Sequence, residues 1–242
     1  GNVIGVTASA NTKFTIHGNN PAASAVPGDT LNYTGPATVT KTLGGTGSGT
    51  ISDPGATVKD VVYDGIETLT ATGTFDDALT LPADGNPNLV IVKLDSTATY
   101  LEIYLDTNSN TAGDEVLYSR QLLADFNSLT VTGGADDDRL AIDGVNGLPV
   151  FAGDVPGTVD NDTDNLSISN EPNLLFHGNA GNDSILFQNL PGGYDQTYAM
   201  GEGDGGGKGA NTAEGEILTV AGAAQLNIYF TGLEPLLNTS PG

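Results

Sequence analysis

Two turns in this chain place carboxylates beside glycine and asparagine in the same pattern. Gly133-Gly134-Ala135-Asp136-Asp137-Asp138-Arg139-Leu140 recurs 45 residues later as Gly178-Asn179-Ala180-Gly181-Asn182-Asp183-Ser184-Ile185. Gly, Asn and Asp tolerate tight corners, and such turns also expose carbonyl and carboxylate oxygens. Calcium takes about six to eight oxygens of this kind. A further acidic run, Asp160-Asn161-Asp162-Thr163-Asp164-Asn165, sets carboxylates at alternate positions, where one turn can aim them at a single point. The chemistry these residues can do is ion binding, and calcium is the expected ion.

Short β-like runs must position these turns. Leu129-Thr-Val-Thr132 and Leu174-Leu-Phe-His177 lead into the two copies, and Leu140-Ala-Ile142 and Ile185-Leu-Phe187 lead out. A β-run, a Gly/Asp turn and a β-run used more than once describe a chain that coils on itself. Similar runs recur about every 10 residues along most of the sequence, each with apolar residues at period 2 and Gly, Asn, Asp or Pro between them. They include Lys13–Ile16, Thr30–Tyr33, Val61–Tyr63, Thr68–Ala71, Leu166–Ile168, Ile217–Val220 and Leu226–Phe230. Only Ser119–Phe126 could make a helical turn.

The second turn resembles the Gly-Gly-x-Gly-x-Asp-x-apolar nonapeptide of RTX-type calcium-binding proteins. That resemblance implies that Asp138 and Asp183 are carboxylate ligands between adjacent coils. It also implies that Gly134, Asn179 and Gly181 donate mainly through the backbone. Asp136 stands where the motif has Gly, so it adds a ligand or breaks the turn. Asp160, Asp162 and Asp164 resemble the first half of an EF-type loop, with Asn165 at that loop's Gly position. More widely, Gly28–Tyr33, Tyr63–Leu69, Ser128–Gly134 and Phe230–Pro235 resemble segments of the large repetitive surface proteins and adhesins of aquatic bacteria. This implies an extracellular structural or adhesive role.

Composition agrees with such a role. Acidic residues outnumber basic ones 30 to 7, for a net charge of −23. This charge repels nucleic acid and anionic membranes and attracts cations. Gly numbers 34 of 242 residues, about twice the usual share of roughly 7%. Cysteine is absent, so no disulfide or thiolate metal site holds the fold. No apolar run is long enough to span a membrane as a helix.

The expected fold is all-β, a right-handed parallel β-helix (solenoid) with an inserted antiparallel meander; a β-sandwich is the alternative. Residues 1–87 form the first β-coil segment and residues 88–126 the antiparallel insertion. Residues 127–242 form the second coil segment, ending in the start of another repeat. That last reading rests on the echo of Tyr63-Asp-Gly-Ile-Glu67 in Phe230-Thr-Gly-Leu-Glu234, 167 residues later. His17 and His177 each precede Gly at a strand end, which a structural repeat explains without chemistry.

Catalytic signals are thin. Gly201–Gly209 lacks the Gly-Lys-Ser/Thr of a phosphate loop and is flanked by acids. Asp136, Asp137 and Asp138 would be the carboxylates of a polysaccharide hydrolase or lyase, but Trp is absent and Arg139 is the one nearby base. No catalytic residues are assigned. The expected function is an extracellular structural repeat of a surface adhesin, surface layer or filament, with calcium in the Gly/Asp turns. Its partners are neighbouring copies or repeats joined head to tail, and surface glycans form a second partner class. The alternative is a carbohydrate-binding or carbohydrate-cleaving β-helix module.

Overall fold

A computed structural model describes residues 1–18, 28–108, 115–150, 174–190, 192–200, 214–221 and 224–233. Among the described residues, period-2 alternation becomes strand; the run Leu166–Ile168 lies outside them. The first strands are β1 (Val3–Thr7), β2 (Phe14–His17), β3 (Thr30–Thr34), β4 (Thr38–Gly45), β5 (Ser48–Ser52) and β6 (Val61–Asp64). Next come β7 (Thr68–Ala71), β8 (Thr74–Thr80), β9 (Leu89–Leu94), β10 (Tyr100–Asp106), β11 (Val116–Leu122) and β12 (Phe126–Thr132). The last are β13 (Arg139–Asp143), β14 (Leu174–His177), β15 (Ser184–Gln188), β16 (Tyr194–Met200), β17 (Glu214–Ala221) and β18 (Ala224–Thr231). Among the described residues one 3₁₀ turn, Leu123–Asp125, occurs, inside the stretch expected to allow a helical turn.

The strands make two large mixed sheets. Sheet I has the order β1-β3-β7-β11-β10-β9-β13-β15, and sheet II the order β16-β17-β18-β14-β12-β8-β4-β5-β6-β2. The chain visits the two sheets alternately. Single strands stack in parallel on strands that precede them by two crossings, as in β1–β3–β7 and β8–β12–β14. Three visits are antiparallel meanders instead: β4-β5-β6, β9-β10-β11 and β16-β17-β18.

The fold is therefore all-β, but sequence reading expected one meander where three stand. The β4–β5 hairpin turns through Gly45 and Gly47 at φ +157° and +60°. The meander expected at residues 88–126 is β9–β11. β9 pairs with β13 and β11 with β7, so it continues sheet I.

Inward-facing side chains of both sheets form the core. One cluster joins Val90, Val92, Leu101, Ile103, Leu140 and Ile142 of sheet I to Leu79, Phe126, Val131, Phe176, Ile228 and Phe230 of sheet II. A second joins Val6, Leu31, Tyr33 and Leu69 to Val39, Ile51, Val61, Tyr63 and Phe75. Parallel register stacks like positions on one another: Leu79, Val131, Phe176 and Phe230 form one column across β8, β12, β14 and β18. All four are at most 1% exposed. Each such side chain contributes about 1.5–3 kcal/mol by leaving water.

Candidate functional site

The two acidic turns lie one above the other. Gly133 N donates to His177 O at 2.7 Å, and Ser184 N donates to Asp138 O at 3.0 Å. The first bond is a recurring one: Gly18 N to Asp64 O, Leu81 N to Thr132 O and Gly178 N to Thr231 O are each 2.8 Å. Turns separated by tens of residues are thus held in register by the parallel strands on either side.

Four residues that stand just before sheet I strands, Asp29, Glu67, Asp138 and Asp183, use their side chains in one way. Asp138 Oδ1 accepts from Asn88 N at 3.2 Å and Asn88 Nδ2 at 2.8 Å. Its Oδ2 accepts from Gly134 N at 2.7 Å. Asp183 Oδ1 accepts from Asp138 N at 2.7 Å. The same arrangement recurs on the first turns, where Asp29 Oδ1 accepts from Asn2 N and Glu67 Oε2 from Asp29 N, both at 2.5 Å. Each carboxylate therefore takes the backbone N–H of the turn beneath it. Asp29, Glu67, Asn88, Asp138 and Asp183 are all buried. These N–H groups are at a strand start and have no ladder partner there, so the carboxylates satisfy donors that burial would otherwise strand.

The sequence-predicted ligands divide three ways. Asp138 and Asp183 face inward onto backbone amides. Asp136 Oδ2 accepts from Gly85 N at 3.1 Å, and the exposed Asp137 holds Asn182 N at 2.8 Å. Asn179, at φ +72°, donates from Nδ2 to Gly133 O at 2.7 Å. Gly181, at φ +134°, leaves no room for a side chain, since a Cβ there would meet Asp136 O at 2.3 Å. Asp160, Asp162 and Asp164 lie outside the described residues. Among the described residues, no group of three or more His, Cys, Asp or Glu is placed to hold a metal ion. Both oxygens of Asp138 and Oδ1 of Asp183 accept N–H groups.

The two histidines occupy equivalent strand ends with different partners. His17 Nδ1 lies 2.7 Å from Asp64 Oδ2, and His177 Nδ1 lies 3.0 Å from Thr231 Oγ1.

Sequence reading missed a polar cluster in the interior. Lys41 of β4 and Asp77 of β8 are register partners, both with fully buried side chains, and Nζ lies 2.7 Å from Asp77 Oδ2. Ser119 and Gln121 of β11 reach the same amine from sheet I: Nζ contacts Ser119 Oγ at 3.1 Å and also Gln121 Oε1. The Phe75 and Phe126 rings stand 5.4 and 5.9 Å from Nζ. Burial pushes the Asp77 carboxyl up to about 6, against the opposing pull of Lys41. Burial likewise pushes the Lys41 ammonium down, against the pull of Asp77.

No family model, curated protein or solved structure matches this chain.

Proposed function

We propose that the chain is a structural repeat of an extracellular surface protein, an adhesin, surface layer or filament, built as a flattened two-sheet β-solenoid. The observation that carries this reading is a unit that occurs twice. β2 on β6 and β14 on β18 are four-residue parallel ladders, each closed by the same Gly N–H···O bond of 2.8 Å. Each is followed by a glycine in the left-handed region, Gly65 at φ +64° and Gly232 at φ +73°. In both cases the upper strand ends an antiparallel meander. Beyond Gly232, Leu233 bridges Asp183 in parallel, as the chain after Gly65 returns to sheet I beside β3.

Such a unit can be repeated without limit along one axis, which suits a role based on length and stiffness. Neighbouring copies or repeats, joined head to tail, are the proposed partners. Calcium is the proposed counter-ion for a net charge of −23. Its oxygens would come from the acids and turn carbonyls that the amide-capping carboxylates leave over.

The test is solution behaviour with calcium and with chelator. Binding to the folded state alone raises stability by about 2.7 kcal/mol at a hundredfold excess over Kd, so melts should shift by several degrees. Sedimentation should show concentration-dependent end-to-end association that is lost on deleting residues 233–242. Identical melts at low ionic strength would remove calcium. A strictly monomeric chain, unaffected by the deletion, would remove self-assembly.

A further inference from the structure

The buried pair at the junction of the two apolar clusters is poorly matched as an ion pair. An ionised carboxylate offers about four acceptor sites. Here Asp77 Oδ1 is buried with no hydrogen bond, and so is Gln121 Nε2. Two charges in such a site lose more hydration than their attraction returns. Moving one proton from Nζ to the carboxyl leaves an amine and a carboxylic acid, both neutral. The directions in which burial moves the two groups agree with that transfer.

The neutral form also fits the contacts. A primary amine has two N–H bonds, and two acceptors, Ser119 Oγ and Gln121 Oε1, lie on its sheet I side. The nitrogen lone pair is left for the third neighbour, the Asp77 carboxyl at 2.7 Å. The register pairing of β4 with β8 and the Phe75 and Phe126 rings hold nucleophile and electrophile together and keep water out.

We propose that Lys41 and Asp77 condense to an intramolecular amide that cross-links β4 to β8. The Nζ lone pair attacks Asp77 Cγ, forming the Nζ–Cγ bond. The Cγ–OH bond breaks, and the hydroxyl departs with one amine proton as water. Nothing is oxidised or reduced. Gln121 is a positioning residue: its Oε1 orients the amine. The product leaves no ionisable pair in the core and gives a chain without cysteine a covalent brace. This inference stands apart from the extracellular reading, since it needs only the interior of the fold.

Intact-mass spectrometry of the folded chain tests it directly. The expected mass is about 18 Da, one water, below that of the sequence, with a digest yielding a branched peptide that joins Lys41 to Asp77. Asp77→Ala and Lys41→Arg should each restore the full mass, whether or not they stay folded. Gln121→Met should lengthen the time over which newly made chain loses the water; an unchanged time course would remove Gln121 from the account. A folded wild-type chain that keeps its full mass after prolonged incubation overturns the proposal. So does a loss of about 17 Da, one ammonia, with Lys41 joined to Gln121, because Asp77 would then not be the acceptor.

Discussion

Replacing Asp138 with alanine separates an architectural carboxylate from a calcium ligand. Asp138 is 1% exposed and accepts three hydrogen bonds: from Asn88 N, Asn88 Nδ2 and Gly134 N. Asn88 is itself fully buried, so its donors cannot turn to solvent, whereas Gly134 is half-buried and can recruit water. A buried donor left unpaired costs about 1–3 kcal/mol. Asn88 Nδ2 keeps Pro82 O at 3.1 Å and Asn86 O at 3.3 Å, so the Asn88 backbone N–H is the donor left unpaired, and with a smaller loss at Gly134 the cost is about 1–4 kcal/mol. The upper end of that range is a large part of the roughly 5–15 kcal/mol that holds a typical domain folded. Asp138→Asn keeps one acceptor oxygen but turns an amide N–H₂ toward other donors, so it should cost about 1–3 kcal/mol. The assay is urea unfolding in chelator and again in calcium. Asp195→Asn is a fitting control because Asp195 is exposed, and it should fall within about 0.5 kcal/mol of wild type. Asp95 and Asp106 would mislead as controls, since they accept N–H from Thr99, Tyr100 and Asn108. Equal losses with and without calcium are expected. A loss under about 1 kcal/mol in chelator, with the larger part seen only in calcium, would make Asp138 a ligand and refute the capping argument.

Three further outcomes follow from the same geometry. Gly65→Ala, at φ +64° with its Cβ 2.9 Å from Gly18 O, should cost at least the roughly 1–2 kcal/mol of a left-handed residue in thermal melts, and Gly232→Ala, at φ +73°, should match it; unequal costs would break the equivalence of the two units. Phe176→Ala, in the middle of the sheet II column, should lose about 3–5 kcal/mol in urea unfolding, and a smaller loss would mean that the column closes over the gap. Burial alone would raise the Asp95 carboxyl, but N–H groups of Tyr100 and Thr99, the Thr97 hydroxyl and Arg120 outweigh it and hold its pKa below the ordinary 3.8. Its contribution is therefore present above that ordinary value and lost as pH falls through the lowered one, so wild type should lose more stability than Asp95→Asn between about pH 5 and about pH 2. Parallel acid curves for the two would refute it.

The strands were legible because period 2 is written locally. Leu101, Ile103 and Leu105 alternate with Tyr100, Glu102 and Tyr104, and the strand Tyr100–Asp106 buries the first set. Pairing was not legible to the same degree. β8 finds β12 across about 50 residues and β14 finds β18 across a similar span, and nothing local distinguishes a parallel neighbour from an antiparallel one. The hairpin at Gly44-Gly45-Thr46-Gly47 shows the difficulty. Its glycines suit a corner between sheets as well as a reversal within one, and only the antiparallel register of Lys41 with Ile51 decides.

The acidic turns were legible in position, but what each turn acid faces was not. An acid just before a strand is visible in Gly28-Asp29-Thr30 and in Asp183-Ser184. Which way its oxygens point depends on the turn below, and that turn comes from 38 residues earlier for Glu67 and 45 for Asp183. Both oxygens of Asp138 and Oδ1 of Asp183 accept N–H groups, contacts that the local amino-acid order does not announce. The interior pair did leave a local trace. Val39, Lys41 and Leu43 share one phase of β4, and Phe75, Asp77 and Leu79 share one phase of β8. A charge in the apolar phase of a strand must find a partner inside, and a chain with only 7 basic residues does not bury a lysine without a use for it. Opposite charges in that phase of two strands are therefore a pairing signal carried by the amino-acid order itself, one that sets β4 beside β8 and fixes their register.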